Sequence, residues 1–231
     1  MPPTRGLLAC VVAALVLAGC TGDDGSESTG GDPTERLETA RQALDDAASL
    51  QIRLATDQLP DDTQGLIEAD GVGNHDPAFE GTVTVFAGGL GQVDADLVSV
   101  EGEVVAKIGF VPDFVPIDPA NYGAPDPAAL VSSKGGVSSW LTSTEGATVG
   151  EQSRDGADVL TTIDGTLPGE VVESLIPSAD PAADFDVAFR LDDDDDLRGA
   201  SITGPFYTGG DDVTYDLEVT ASDETVDITL P

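Results

Sequence analysis

Few side chains in this 231-residue sequence are equipped for chemistry. His75 is the single histidine. It lies in a turn rich in Gly, Asn and Asp, where a surface position is expected. A Ser-His-Asp triad would need it, and no Gly-x-Ser-x-Gly elbow accompanies it. No P-loop occurs, and Gly88-Gly89-Leu90-Gly91 reads as a turn rather than a phosphate cradle. Residues 192–196 are five consecutive aspartates, which invites a calcium reading. An EF-hand loop starting there would need Gly at 197 and Glu at 203, where Leu197 and Thr203 stand. The run therefore reads as a solvated hairpin loop. Among 44 carboxylates nothing singles out a glycosidase pair. No catalytic residue, metal ligand set or cofactor site is expected. Cys20 is the one thiol with a chemical context.

That context is an export signal. Residues 1–6 carry one positive charge, Arg5, and residues 7–18 form an apolar run without charge. The run is shorter than the roughly 20 residues that span a bilayer, and has the length of a signal-peptide core. It ends in Leu17-Ala18-Gly19-Cys20, which resembles the lipobox of bacterial lipoproteins. The resemblance implies a diacylglycerol on the Cys20 thiol, cleavage before it, and acylation of the new amino group. Two or more chains anchor stably where one is marginal. Residues 1–19 are thus expected to be a signal peptide, and 20–33 a lipidated cysteine with a flexible tether. The product would be lipid-anchored on the extracytoplasmic face of the cell membrane. Cys10 leaves with the signal, so no disulfide is available to the remainder.

The formal charge is −35, with 9 basic against 44 acidic residues. Such a surface repels phosphate backbones, which excludes nucleic acid as a partner.

Local patterns supply the elements. Asp32-Pro33-Thr34-Glu35 is a helix start, with an Asp cap, a first-turn proline and a following glutamate. Leu37, Ala40, Leu44, Ala47 and Ala48 share one helical face. The period then switches to two: Leu50/Ile52/Leu54, Phe79/Val83/Val85, Val93/Ala95/Leu97, Phe185/Val187/Phe189/Leu191, Val213/Tyr215/Leu217/Val219 and Val226/Ile228/Leu230. Alternation of this kind means antiparallel strands with one apolar face. Turn signals at 88–89, 101–102, 155–156 and 209–210 separate them. Five prolines at 112, 116, 119, 125 and 127 preclude regular structure over 109–127. Short helices are expected near 127–132, 137–144 and 168–176. The fold class is α+β, an extensive antiparallel sheet with helices on its apolar face.

Several stretches, taken in order, resemble the LppX/LprA/LprF/LprG family of actinobacterial lipoproteins, its LprG-like members most closely. They are GTVTV at 81–85, VDADLV at 93–98, Asn121-Tyr122 followed by DPAALV at 126–131, GVSSWL at 136–141, PGEVVESLIP at 168–177 and VDITLP at 226–231. The resemblance implies a curved antiparallel half-barrel, LolA/LolB-like, with helices packed on the concave face over residues 34–231. It implies a hydrophobic cavity for an acylated glycolipid or other multi-chain lipid, passed along the envelope with a major-facilitator transporter as partner. The physical need is clear: burying lipid is worth about 0.8 kcal/mol per methylene, so a two-chain lipid of roughly 30 methylenes costs on the order of 20 kcal/mol in water. Candidate cavity-lining residues are Val83, Val85, Trp140, Leu141, Val171, Leu175, Phe185, Val187 and Phe189. Alternation alone, however, points to a filled core, and it is the resemblance that points to a cavity. A filled core would leave a non-enzymatic surface lipoprotein that partners a transporter or wall enzyme.

Overall fold

The two-residue periodicity becomes a single sheet of eleven antiparallel strands in a computed structural model that describes residues 31–61, 63–109, 111–207 and 209–231. The signal peptide expected at 1–19, with Cys10, and the expected lipidated Cys20 with its tether as far as residue 30 lie outside the described residues. The strands are β1 (Ser49–Ala55), β2 (Gly65–Asn74), β3 (Ala78–Phe86), β4 (Gln92–Val100), β5 (Glu103–Ile108), β6 (Val115–Pro116), β7 (Glu145–Asp155), β8 (Asp158–Pro168), β9 (Asp184–Leu191), β10 (Leu197–Gly204) and β11 (Val213–Ser222). Their spatial order is β6-β5-β4-β3-β2-β1-β11-β10-β9-β8-β7. Two hairpin-connected meanders therefore meet at one seam, where β1 pairs with β11 from Ser49↔Ser222 to Ala55↔Asp216. The sheet is open and curved.

This order dictates the helices. β6 and β7 are consecutive in sequence but sit at opposite edges, so the chain between them must cross the whole sheet. It does so with a 3₁₀ turn (Pro119–Tyr122), α2 (Pro127–Leu130) and α3 (Ser138–Ser143). α1 (Pro33–Asp46) precedes β1 and packs on α3, while α4 (Gly169–Glu173) fills the β8–β9 connection. α1 starts on its sequence signal. The Asp32 carboxylate accepts from the Thr34 amide at 2.8 Å and caps α1, with Pro33 in the first turn. Leu37, Ala40 and Leu44 are its buried face. α1 stops at Asp46, and Ala47 is already extended. No described helix is long and apolar enough to cross a membrane.

The main core lies on the concave face under α1, α3 and α4. Phe185, Phe189 and Ile163 from the sheet meet Leu141, Val172 and Leu37 from the helices. Phe206, from the β10–β11 connection, drops between Phe185 and Tyr215 with edge-on ring centroids 4.9 and 5.0 Å away.

Three sequence expectations need correction. Val226, Ile228 and Leu230 do not form a strand. β11 already has β1 and β10 on its two sides, so no edge is free for it. The tail instead crosses the convex face, where Ile228 packs with Ala78, Val98 and Val105. Glu224 and Val226 carbonyls accept from Ser49 and the Asn74 amide at 2.8 and 3.1 Å. Second, the aspartate run is not merely solvated. Asp192 is buried, accepts the Asp194 and Asp196 amides at 3.0 Å each, and takes both Nε and Nη2 of Arg198 at 2.8 and 2.6 Å. Burial opposes ionisation of Asp192, but the two amides and Arg198 outweigh it and hold its carboxyl below the usual range. Asp195 pairs with Arg36 and so ties α1 to this hairpin. Third, His75 is half-buried and bridges two main-chain carbonyls, Val131 at 2.7 Å and Leu44 at 3.0 Å.

Candidate functional site: an apolar cleft under a proline-rich roof

The two halves of the concave face share one alternating pattern but are packed differently. On β8–β11 large side chains project into the helices and are covered. On β2–β5 the inward positions beside the cleft hold small or aliphatic residues, Ala69 and Leu66 on β2, Val83 and Val85 on β3, Ala95 and Val93 on β4, Ala106 and Ile108 on β5, while Phe79 at the far end of β3 packs against Ala128 of α2. Register sets them side by side. Val83 lies opposite both Ala69 and Ala95, Val85 opposite both Leu66 and Val93, and Ala106 opposite Leu97. Val83, Val85, Val93 and Ala95 remain half-buried, so space is left above them.

The roof is the segment that crosses the sheet. Ile117, Pro119, Tyr122, Ala124, Pro125 and Leu130 face the strands across a cleft of about 190 Å³. Its prolines do what their chemistry allows: they hold a compact, strand-free path. Asp118 caps the 3₁₀ turn through the Ala120 amide (3.1 Å), and Gly123 ends that turn at φ 65°. Asp126 caps α2 through the Ala128 amide (3.0 Å) and accepts from Ser99, wholly buried on β4, at 2.6 Å. Ile117 donates to the Val104 carbonyl at 3.0 Å, and the β6–β5 pairing spans only Pro116↔Val105 and Val115↔Ala106. Few bonds join roof to floor.

Of the nine residues proposed from sequence, Val83 and Val85 line this cleft. Trp140, Leu141, Leu175, Phe185, Val187 and Phe189 belong to the packed core beneath α1, α3 and α4, and Val171 borders it. The gap left in that half, beside Trp140, Ile176 and Phe206, is about 20 Å³, room for one water molecule at most. Ala95, Leu97, Ala106, Ile108 and Tyr122 are cleft residues missing from the sequence-based set. The Val93/Ala95/Leu97 alternation carried the signal for the first two. Nothing local placed the proline-rich roof over them.

A larger hollow of about 620 Å³ opens between the β1–β2 and β10–β11 loops. Its walls include Asp57, Asp61, Asp211, Asp212 and Asp216, so it is acidic, wide and solvated. An apolar ligand gains nothing there. Among the described residues no three His, Cys, Asp or Glu side chains gather in metal-holding geometry.

The model of the LppX_LprAFG lipoprotein family matches residues 32–230. The crystal structure of LprF from Mycobacterium bovis superposes with a TM-score of 0.68 at 15% identity, covering 86% of this chain and 96% of that one. Lipoprotein LppX from Mycobacterium tuberculosis superposes with a TM-score of 0.60 at 19% identity, covering 85% and 98%. No significant match is found among curated protein sequences.

Proposed function

This chain belongs to the LppX_LprAFG lipoprotein family, and on that premise we propose that its cleft receives an acyl chain of an envelope lipid. One observation carries the reading: the hollow between β2–β5 and the roof is walled by aliphatic side chains, prolines and a single tyrosine, with no charged group. Each methylene moved there from water gains about 0.8 kcal/mol. A polar head group gains nothing and stays at the mouth. The volume, about 190 Å³, lies below the roughly 300–1,000 Å³ of most ligand sites. In this state the cleft suits the end of one chain. A multi-chain acylated glycolipid requires the roof to swing outward, and the sparse bonding between roof and floor favours that movement. The role is binding and transfer without catalysis. The protein would hang from the outer face of the cell membrane through lipid on Cys20 and hand its cargo along the envelope, with a major-facilitator transporter as partner.

Mass spectrometry of organic extracts from the purified chain tests the reading. Near-stoichiometric lipid is expected, and Val83→Trp should lower it several-fold while leaving the circular dichroism unchanged. If extracts are empty and added lipid is not taken up, the protein is a surface interaction lipoprotein whose core is simply full.

A further inference from the structure

We propose that the mouth of the cleft is a membrane-docking rim, on which the β3–β4 tip and the β5–β6 segment rest against a zwitterionic bilayer surface. Among the described residues three large hydrophobic side chains are exposed: Leu90 (81%), Val111 (49%) and Val115 (40%). Leu90 comes from the β3–β4 turn and the other two from the chain around the start of β6, yet all adjoin one opening. Leu90 itself lines the cleft. Val111 donates its amide to the carbonyl of the cleft residue Ile108 at 3.1 Å, and Val115 pairs with the cleft residue Ala106. Scattered exposed hydrophobics need no explanation, but a cluster at one mouth does.

Leu90 is held out by a closed turn. Ala87 donates to the Gly91 carbonyl at 2.9 Å and Gly91 to that of Gly88 at 2.9 Å, with Gly88 and Gly91 at φ 57° and 73°. Charge points to the partner. In a chain of formal charge −35, residues 86–93 carry no charge and residues 111–117 carry only Asp113. A largely apolar rim whose one carboxylate, Asp113, is exposed can enter the head-group boundary while that single charge stays in water. Asp57 and Asp61 share a shallow hollow with Phe86 and Gln92 beside it, so an anionic surface is repelled. A zwitterionic surface is not. Continuity from Leu90 into the cleft gives an acyl chain a path that never crosses water. The proposal deepens the lipid-binding reading and takes its purpose from it, yet docking is measurable whether or not the cleft is filled.

The test places a tryptophan reporter at each end of β4, in Leu90→Trp and Glu103→Trp. The two sites are about 30 Å apart along the strand. The buried native Trp140 contributes a constant background. In phosphatidylcholine vesicles with brominated acyl chains, the reporter at 90 should shift to shorter wavelength and be quenched roughly twofold or more, as for a side chain 5–10 Å inside the interface. The reporter at 103 should stay water-like. Adding Val111→Asp to Leu90→Trp, or switching to phosphatidylglycerol, should weaken the quenching. Equal quenching at both ends, or none, overturns the proposal. So does a wavelength shift that appears without vesicles and grows with protein concentration, which marks a second copy on the rim. Lipid in organic extracts of the same samples without rim quenching removes docking alone. Rim quenching with empty extracts removes the cleft reading alone.

Discussion

Two phenols carry a polar link through the otherwise apolar core. The Tyr207 and Tyr215 hydroxyls lie 2.6 Å apart, and Tyr215 donates to the Leu66 carbonyl at 2.6 Å. Burial pushes both phenols above their ordinary value. Both therefore stay protonated in the fold, while in the unfolded chain they titrate near about 10. Their contribution is fully present below that pH and is lost as pH rises above it. Tyr215→Phe should cost about 1–2 kcal/mol at neutral pH, because Leu66 loses its donor. Urea midpoints should then fall less steeply above about pH 10 in the variant than in the parent; parallel declines would refute the assignment. At this scale the sequence misleads where a polar side chain is taken up by main-chain groups or ion pairs that no motif marks. His75 and Asp192 look like solvent-facing turn residues. One clasps carbonyls from residues 44 and 131, the other gathers the amides of its own loop and Arg198. No local pattern flags a carbonyl that another segment will deliver.

Among the elements, the C-terminal tail is the clearest case of a pattern with two meanings. Val226, Ile228 and Leu230 alternate as a strand does, yet the tail packs as a strap over a second apolar patch on the convex side. Ile228→Ala should cost about 2–3 kcal/mol, within the range for large-to-small changes in cores, as read by chemical denaturation. Lipid content of the cleft should be unaffected, since the strap lies on the other face. Alternation does identify the strands whose inner face meets the core, such as β9 and β11. It fails for β7, an edge strand with mostly exposed residues and two register shifts, which gives no apolar period to detect. β2 is obscured by a register shift after Leu66 and by Gly71 and Gly73. Gly71 faces Gly81 so closely that a Cβ on either would overlap the neighbouring backbone, a demand on packing rather than on local propensity. The proline-rich segment reads as irregular, yet it holds the two-residue β6 and a 3₁₀ turn, and its role as a roof depends on which sheet edges it connects.

For the whole molecule, charge and topology dominate. With 44 acids against nine basic residues, self-repulsion opposes the folded state. Raising salt from about 0.01 to 0.15 M shortens the screening length from roughly 30 to 8 Å. The melting temperature should rise, with each 1 kcal/mol regained worth about 2–4 °C for a chain of this size. A fall on adding salt would mean that its few ion pairs outweigh the repulsion. The division of the concave face into a packed half and a hollow half was not legible, because both halves share the same alternation. Side-chain size separates them, Phe185 and Phe189 against Ala69, Ala95 and Ala106, together with the route of the roof. The β1–β11 seam has a temporal meaning as well. β11, the last of the described strands in chain order, is the one that joins the two meanders, across more than 160 residues of chain. Until it arrives, β1 presents bare amides and carbonyls along its whole length, a template for unwanted partners. A chain cut short before Val213 would carry that open flank permanently, in the middle of what should be a continuous sheet.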